Sequence, residues 1–217
     1  MIDLKLNLKG DRGPTILCLG AHSDDIEIGC GGTILRLIRD YPDCKISWVV
    51  FSAIGARKDE AQGAAELFAG KDRLSQLQLL EFRDGFMPYR GEEIKQVFED
   101  LKKSVNPDLV LTHQGHDAHQ DHRVLSELTW NTFRDHFILE YEIPKYDGDF
   151  GRPNVFVSLD ADICRAKTRH LMESFASQRS KHWFDEETFL GLMRLRGMEC
   201  NSKSRYAEAF YCRKMTL

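Results

Sequence analysis

The chain has 217 residues, 42% of them hydrophobic, and a formal net charge of -4 from 30 basic and 34 acidic side chains. This length suits one domain with a sizeable core, and without a basic surplus the chain is no general nucleic-acid binder. No apolar run approaches 18 residues, which excludes a membrane-spanning helix, and Met1-Ile2-Asp3-Leu4-Lys5 lacks the apolar core of a secretory leader.

Cysteines 18, 30, 44, 164, 200 and 212 are scattered, form no C-x-x-C pair, and several sit in apolar runs, as buried free thiols do. The expectation is a reducing, cytoplasmic compartment, with no disulfides and no sulfur-rich structural zinc. Arg194, Arg196, Lys203 and Arg205 form a candidate local basic patch.

Residues 1 to 14 read as a polar lead-in ending at Gly13-Pro14. Residues 15 to 21 are a near-continuous apolar run, the pattern of a strand buried on both faces. A Gly-rich turn (Gly29, Gly31, Gly32) follows, then Ile34, Leu35, Ile38 and Tyr41 at helical spacing, closed by Tyr41-Pro42. Lys45 to Ala53 is rich in β-formers. Glu60 to Gly70 carries Ala61, Ala64, Ala65 and Phe68 on one helical face. Leu74 to Phe82 alternates as a strand, with helix as the competing reading, and Asp84-Gly85 breaks it.

Ile94, Val97, Phe98, Leu101 and Val105 mark an amphipathic helix that stops before Pro107. Leu109 to Thr112 is a short buried strand, and 113 to 121 a histidine-rich loop. A helix through Val124, Leu125, Leu128 and Phe133 comes next, then a strand over 137 to 143. The loop 145 to 153 is long enough to serve function. A strand over 155 to 159, helical patterns over 161 to 177 and 185 to 196, and a terminal strand within 207 to 215 complete the chain. This alternation predicts a single α/β domain over 1 to 217, a three-layer Rossmann-like fold with a mostly parallel sheet.

Ligands in such sheets bind outside the carboxyl ends of the strands, and both polar clusters, His22 to Asp25 and His113 to His122, directly follow strands. His22 and Asp25 are three apart, as are His119 and His122 near a helix start. Two imidazoles and one carboxylate suit zinc with an open position, and also iron(II) or other divalent ions. Asp24 would then stand beside a metal-activated water and take its proton. Taken alone, an H-x-D-D after a strand is more often a loop with capping carboxylates, and His113 and His116 are more often plain loop residues. The glycines lack phosphate-loop spacing.

Ala21-His22-Ser23-Asp24-Asp25-Ile26-Glu27-Ile28-Gly29 resembles the A-H-P-D-D-x-E-x-G signature of the PIG-L/LmbE-like zinc-dependent N-deacetylases. His119-Gln120-Asp121-His122 resembles that family's H-x-D-H motif. Fainter similarities are Arg57 to Glu60 with Ala64-Ala65, Asp84-Gly85, Lys167 with Ser177-Gln178, and Tyr206 to Phe210. The resemblance implies zinc held by His22, Asp25 and His122, with Asp24 as general base. His119, oriented by Asp121, would stabilise the oxyanion together with the metal and protonate the amine, and Arg57 would face substrate. Glu27 is a candidate outer-sphere partner of the site, and Glu208 either a site residue or a terminal salt-bridge partner. Ser23 and Gln120 replace prolines of the family pattern, and Phe175 replaces a histidine, which puts any contact made there in doubt.

The leading expectation is a hydrolase that removes acetyl from an N-acetylglucosamine-like sugar or glycoconjugate. The alternatives are a zinc-dependent hydratase of an unsaturated dicarboxylate and a non-catalytic metal- or sugar-binding protein. The oligomeric state stays open, a homo-oligomer included.

Overall fold

The computed structural model describes residues 13–216, so the expected lead-in, except Gly13 and Pro14, lies outside the described residues. The described residues form seven strands and six α-helices: β1 (Thr15–His22), α1 (Asp25–Asp40), β2 (Lys45–Ser52), α2 (Ala56–Ala69), β3 (Leu74–Leu79), α3 (Gly91–Ser104), β4 (Leu109–His113), α4 (Gln120–Thr132), β5 (Phe137–Tyr141), β6 (Val155–Leu159), α5 (Ala161–Ser174), α6 (Glu186–Glu199) and β7 (Tyr206–Tyr211). Short 3-10 turns cover Met87–Arg90 and Ala176–Gln178. The strand order is β3-β2-β1-β4-β5-β7-β6. The strands from β3 to β5 run parallel, and β7 is antiparallel to both its neighbours.

Side chains of β1 alternate between two cores. Ile16 and Cys18 pack with α1 and α2, while Leu17 and Leu19 pack with α3 and α4. A strand covered on both faces must be apolar at every position, which is why its sequence lacks the alternation of a half-exposed strand. From β1 the chain winds outward to β2 and β3, and from β4 the other way to β5. The carboxyl ends of β1 and β4 therefore flank the point where the winding reverses, the place where open α/β sheets bind ligands. His22 ends β1 and His113 ends β4.

The structure corrects three local expectations. Gly29, Gly31 and Gly32 lie inside α1, which begins at Asp25. They are there for close packing: a Cβ at Gly29 would overlap the Tyr141 ring, one at Gly31 would stand 2.6 Å from Phe68 Cε1, and one at Gly32 2.6 Å from Leu159 Cδ1. His113 is a fully buried strand residue, not part of a loop. Arg196 does not join the candidate basic patch, because it is buried and bonded to Glu142 and Glu199. All six cysteines are free thiols. Among the described residues, no helix is long and apolar enough to cross a membrane.

Candidate active site

The end of β1 and the start of α1 bring His22 and Asp25 together, and the start of α4 adds His122. His22 Nδ1 lies 3.2 Å from Asp25 Oδ2 and 3.2 Å from His122 Nε2; His122 Nε2 is 3.5 Å from Asp25 Oδ2. Tetrahedral zinc with bonds of ~2.05 Å separates its ligand atoms by about 3.3 Å. The three residues named from the sequence thus form a triangle of metal-site dimensions.

The outer nitrogen of each imidazole faces a carboxylate. His22 Nε2 faces Asp84 Oδ1 at 3.0 Å and Asp121 Oδ2 at 3.3 Å. His122 Nδ1 stands 2.9 Å from Asp117 Oδ2. A nitrogen facing a carboxylate carries the hydrogen, which leaves the inner nitrogen of a neutral ring as a lone pair. Two such lone pairs and a carboxylate oxygen therefore converge on one point and require a positive charge there.

Without a cation, a proton fills that need. Burial pushes the His22 imidazole down, but Asp25, Asp121 and Asp84 outweigh it and hold its pKa well above the usual range. Burial, helped by His113, drives His122 down to about 4. Burial also pushes Asp25 up, yet His122, His22 and His113 bring it well below the ordinary carboxylate value.

Asp24, the N-cap residue of α1, is almost fully buried. Arg57, in the first turn of α2, donates from Nη2 to Asp24 Oδ1 at 2.6 Å. Burial raises the Asp24 pKa and Arg57 opposes it. Arg57, expected to face substrate, spends this contact on Asp24, and its side chain is 27% exposed.

His119 caps α4: its Nδ1 accepts the Asp121 backbone N–H at 3.3 Å. Its Nε2 consequently carries the hydrogen. Burial and the nearby His22 lower its pKa, so the ring is a neutral donor, with its centroid 4.8 Å from that of His22 and 4.7 Å from that of His122. Asp121 therefore meets His119 through its backbone, not through its carboxylate. The carboxylate accepts the Gly85 N–H at 2.7 Å and the Met87 N–H at 3.1 Å, besides facing His22. Gln120 donates from Nε2 to the Gly85 carbonyl at 3.1 Å. Consecutive residues of the second motif thus grip both sides of a turn whose Gly85 has φ +79°.

Sequence reasoning missed Asp117 and the place of His113. The His113 ring stacks on His122 at 3.9 Å and 19°. Its Nε2 accepts the Ala21 N–H at 3.0 Å, so its lone pair is spent on backbone despite lying 3.2 Å from Asp25 Oδ2. The apolar run into Thr112 was a signal that could have kept His113 in the strand. Asp117, five residues before His122, follows no periodic pattern.

The fainter motif positions outside the site, Lys167, Glu208, Glu60 and Ser177, prove structural. Lys167 Nζ bonds Glu208 Oε1 at 2.6 Å and the Ile28 carbonyl at 2.6 Å. Glu208 accepts the backbone N–H groups of Gly32 at 2.8 Å and Thr33 at 2.6 Å. Glu60 accepts from the Ser177 hydroxyl and N–H at 2.6 and 2.8 Å. Phe175 is wholly buried in the core beside Phe184.

A family model described as GlcNAc-PI de-N-acetylase, PIG-L, matches residues 17–133, more than half of the chain. Diacetylchitobiose deacetylase of Thermococcus kodakarensis is 26% identical over 137 residues, 55% of this chain and 50% of that protein, so the match spans only half of the relative's length. The uncharacterized deacetylase YaiS of Escherichia coli is 27% identical over 180 residues, 77% of this chain and 94% of that protein. Among solved structures, N,N'-diacetylchitobiose deacetylase from Pyrococcus horikoshii superposes with a TM-score of 0.70 at 21% identity, covering 92% of this chain and 84% of that one. GalB, the 4-carboxy-2-hydroxymuconate hydratase of Pseudomonas putida KT2440, gives 0.71 at 17% identity, covering 94% and 98%. These structures share the α/β fold described above, and with the family model matched across both histidine motifs, the chain belongs to the PIG-L family.

Proposed function

We propose that the protein is a metal-dependent N-deacetylase acting on an N-acetylglucosamine-like sugar or glycoconjugate, with zinc as the first candidate metal. The observation that carries this reading is the convergence of His22 Nδ1, Asp25 Oδ2 and His122 Nε2 within 3.5 Å, with Asp24 next in sequence to a ligand. Both the Thermococcus and the Escherichia relatives are described as deacetylases, which supports the deacetylase class.

A divalent cation held by His22, Asp25 and His122 would supply Lewis acidity to the amide carbonyl and acidify a water. Asp24, kept oriented by Arg57, accepts the proton of the attacking water. The Nε2–H of His119 donates to the carbonyl oxygen as it becomes negative. The proton taken up by Asp24 passes to the amide nitrogen, the C–N bond breaks, and acetate and a free amine leave.

The test is acetate release from a panel of N-acetylglucosaminides, with zinc-loaded wild type against Asp24→Asn. GalB has the same fold and is a hydratase, so unsaturated dicarboxylates belong in the panel. Loss of their ultraviolet absorbance without acetate release from any amide would replace this reading with hydration.

A further inference from the structure

We propose that Lys145 is a positioning residue for the metal centre, acting on His122 through Asp117. This rests on His122 being a metal ligand, as argued above. Lys145 follows β5, on the segment leading to β6. Its side chain is only 10% exposed, although lysine ordinarily keeps its ammonium in water. Its Nζ lies 3.1 Å from Asp117 Oδ1 and 2.6 Å from both oxygens of Asp149.

Asp117 is fully buried, and its two oxygens have separate tasks. Oδ2 stands 2.9 Å from His122 Nδ1. Oδ1 accepts the His119 backbone N–H at 2.8 Å and meets Lys145. Asp149 returns to the same segment by accepting the Ala118 N–H at 2.7 Å. The stretch 117 to 119 is thereby tied to 145 to 149 twice, by the Lys145–Asp117 pair and by the Ala118 N–H bond to Asp149.

A buried carboxylate that loses its partner cation turns away to find other donors, since an unpaired buried charge is costly. That movement takes Oδ2 away from His122 Nδ1, 2.9 Å off in the intact arrangement, and frees the ring to turn. Lys145 prevents this by compensating the oxygen that His122 does not use. Outer carboxylates behind ligand histidines are worth about 10–100-fold in metal affinity. Lys145 controls whether Asp117 delivers that effect.

The test is zinc affinity of the full chain, by competition with a chromophoric chelator, a readout independent of deacetylation. Lys145→Met should weaken zinc by about 10–100-fold, and Lys145→Arg should restore affinity to within about threefold. Combining Lys145→Met with Asp117→Asn should bind zinc no more weakly than Asp117→Asn alone. This neutral pair also keeps the test available if Lys145→Met does not fold. Wild-type affinity in Lys145→Met, no rescue by arginine, or additive losses in the double variant would each overturn the proposal. A wild-type chain that takes up no zinc, or a His122→Gln variant that binds it normally, would remove the ligand reading beneath it instead.

Discussion

Arg57 Nη2 and Asp24 Oδ1 are 2.6 Å apart, the arginine at the head of α2 and the carboxylate at the head of α1. The bond joins two helices that leave neighbouring strands, and it sets the ionisation of the group assigned as base. Burial favours the neutral acid at Asp24, and Arg57 favours the carboxylate. Replacing Arg57 with methionine removes the main opposition to burial and leaves only His22, so the Asp24 pKa rises further. The base must be ionised, so the acid limb of kcat/KM moves to higher pH. Activity should fall by about tenfold or more at pH 6, with a smaller loss at pH 8. Parallel pH profiles of Arg57→Met and wild type check this, and an unshifted limb contradicts it.

His119 donates from Nε2 because the Asp121 backbone N–H occupies Nδ1. His119→Gln should lower kcat by about 10²–10³-fold, the cost of one donor to a developing oxyanion. Zinc content by elemental analysis should stay at the wild-type ratio. Loss of metal from this variant would make His119 a ligand.

Lys167 and Glu208 are a buried ion pair that pins α5 and β7 to the middle of α1. Lys167→Met strands the Glu208 carboxylate and should cost about 3–5 kcal/mol. Denaturant titration should show that loss, with zinc stoichiometry unchanged in the folded fraction. Unchanged stability would mean the pair contributes nothing to the fold.

Glu27 is completely buried, and neither carboxylate oxygen has a hydrogen-bond partner among the described residues. Burial raises its pKa well above the ordinary 4.5. Between these two values the native state holds a proton that the unfolded chain has released, so stability falls as pH rises. The slope approaches ~1.4 kcal/mol per pH unit for one proton. Glu27→Gln should remove that slope, and its melting temperature should gain on wild type as pH increases from 5 to 8. A constant difference across that range would show that Glu27 finds a partner.

Strands covered on both faces were legible because nothing but apolar residues fits them, as in Ile16-Leu17-Cys18-Leu19. The glycines of α1 were not. Gly29, Gly31 and Gly32 look like a loop in sequence, and only the approach of Tyr141, Phe68 and Leu159 explains them inside a helix. The same division holds in the site. His22, Asp25, His119 and His122 announce themselves by spacing after strand ends. Asp117 and Lys145 reach His122 only through folding, across 28 residues of chain from one to the other. Gln120 is intermediate: it departs visibly from the family proline, yet its bond to Gly85 has no counterpart in sequence pattern.

The proposed deacetylation turns on proton uptake by Asp24. The most direct measurement is acetate released from N-acetylglucosaminides, such as N,N'-diacetylchitobiose, by zinc-loaded wild type and by Asp24→Asn, with zinc content measured on both. Turnover by wild type, a loss of about 10²–10⁴-fold in Asp24→Asn, and equal zinc in the two proteins are the predicted result. Near wild-type turnover in zinc-loaded Asp24→Asn, or no acetate from any acetamido sugar tested, would contradict it.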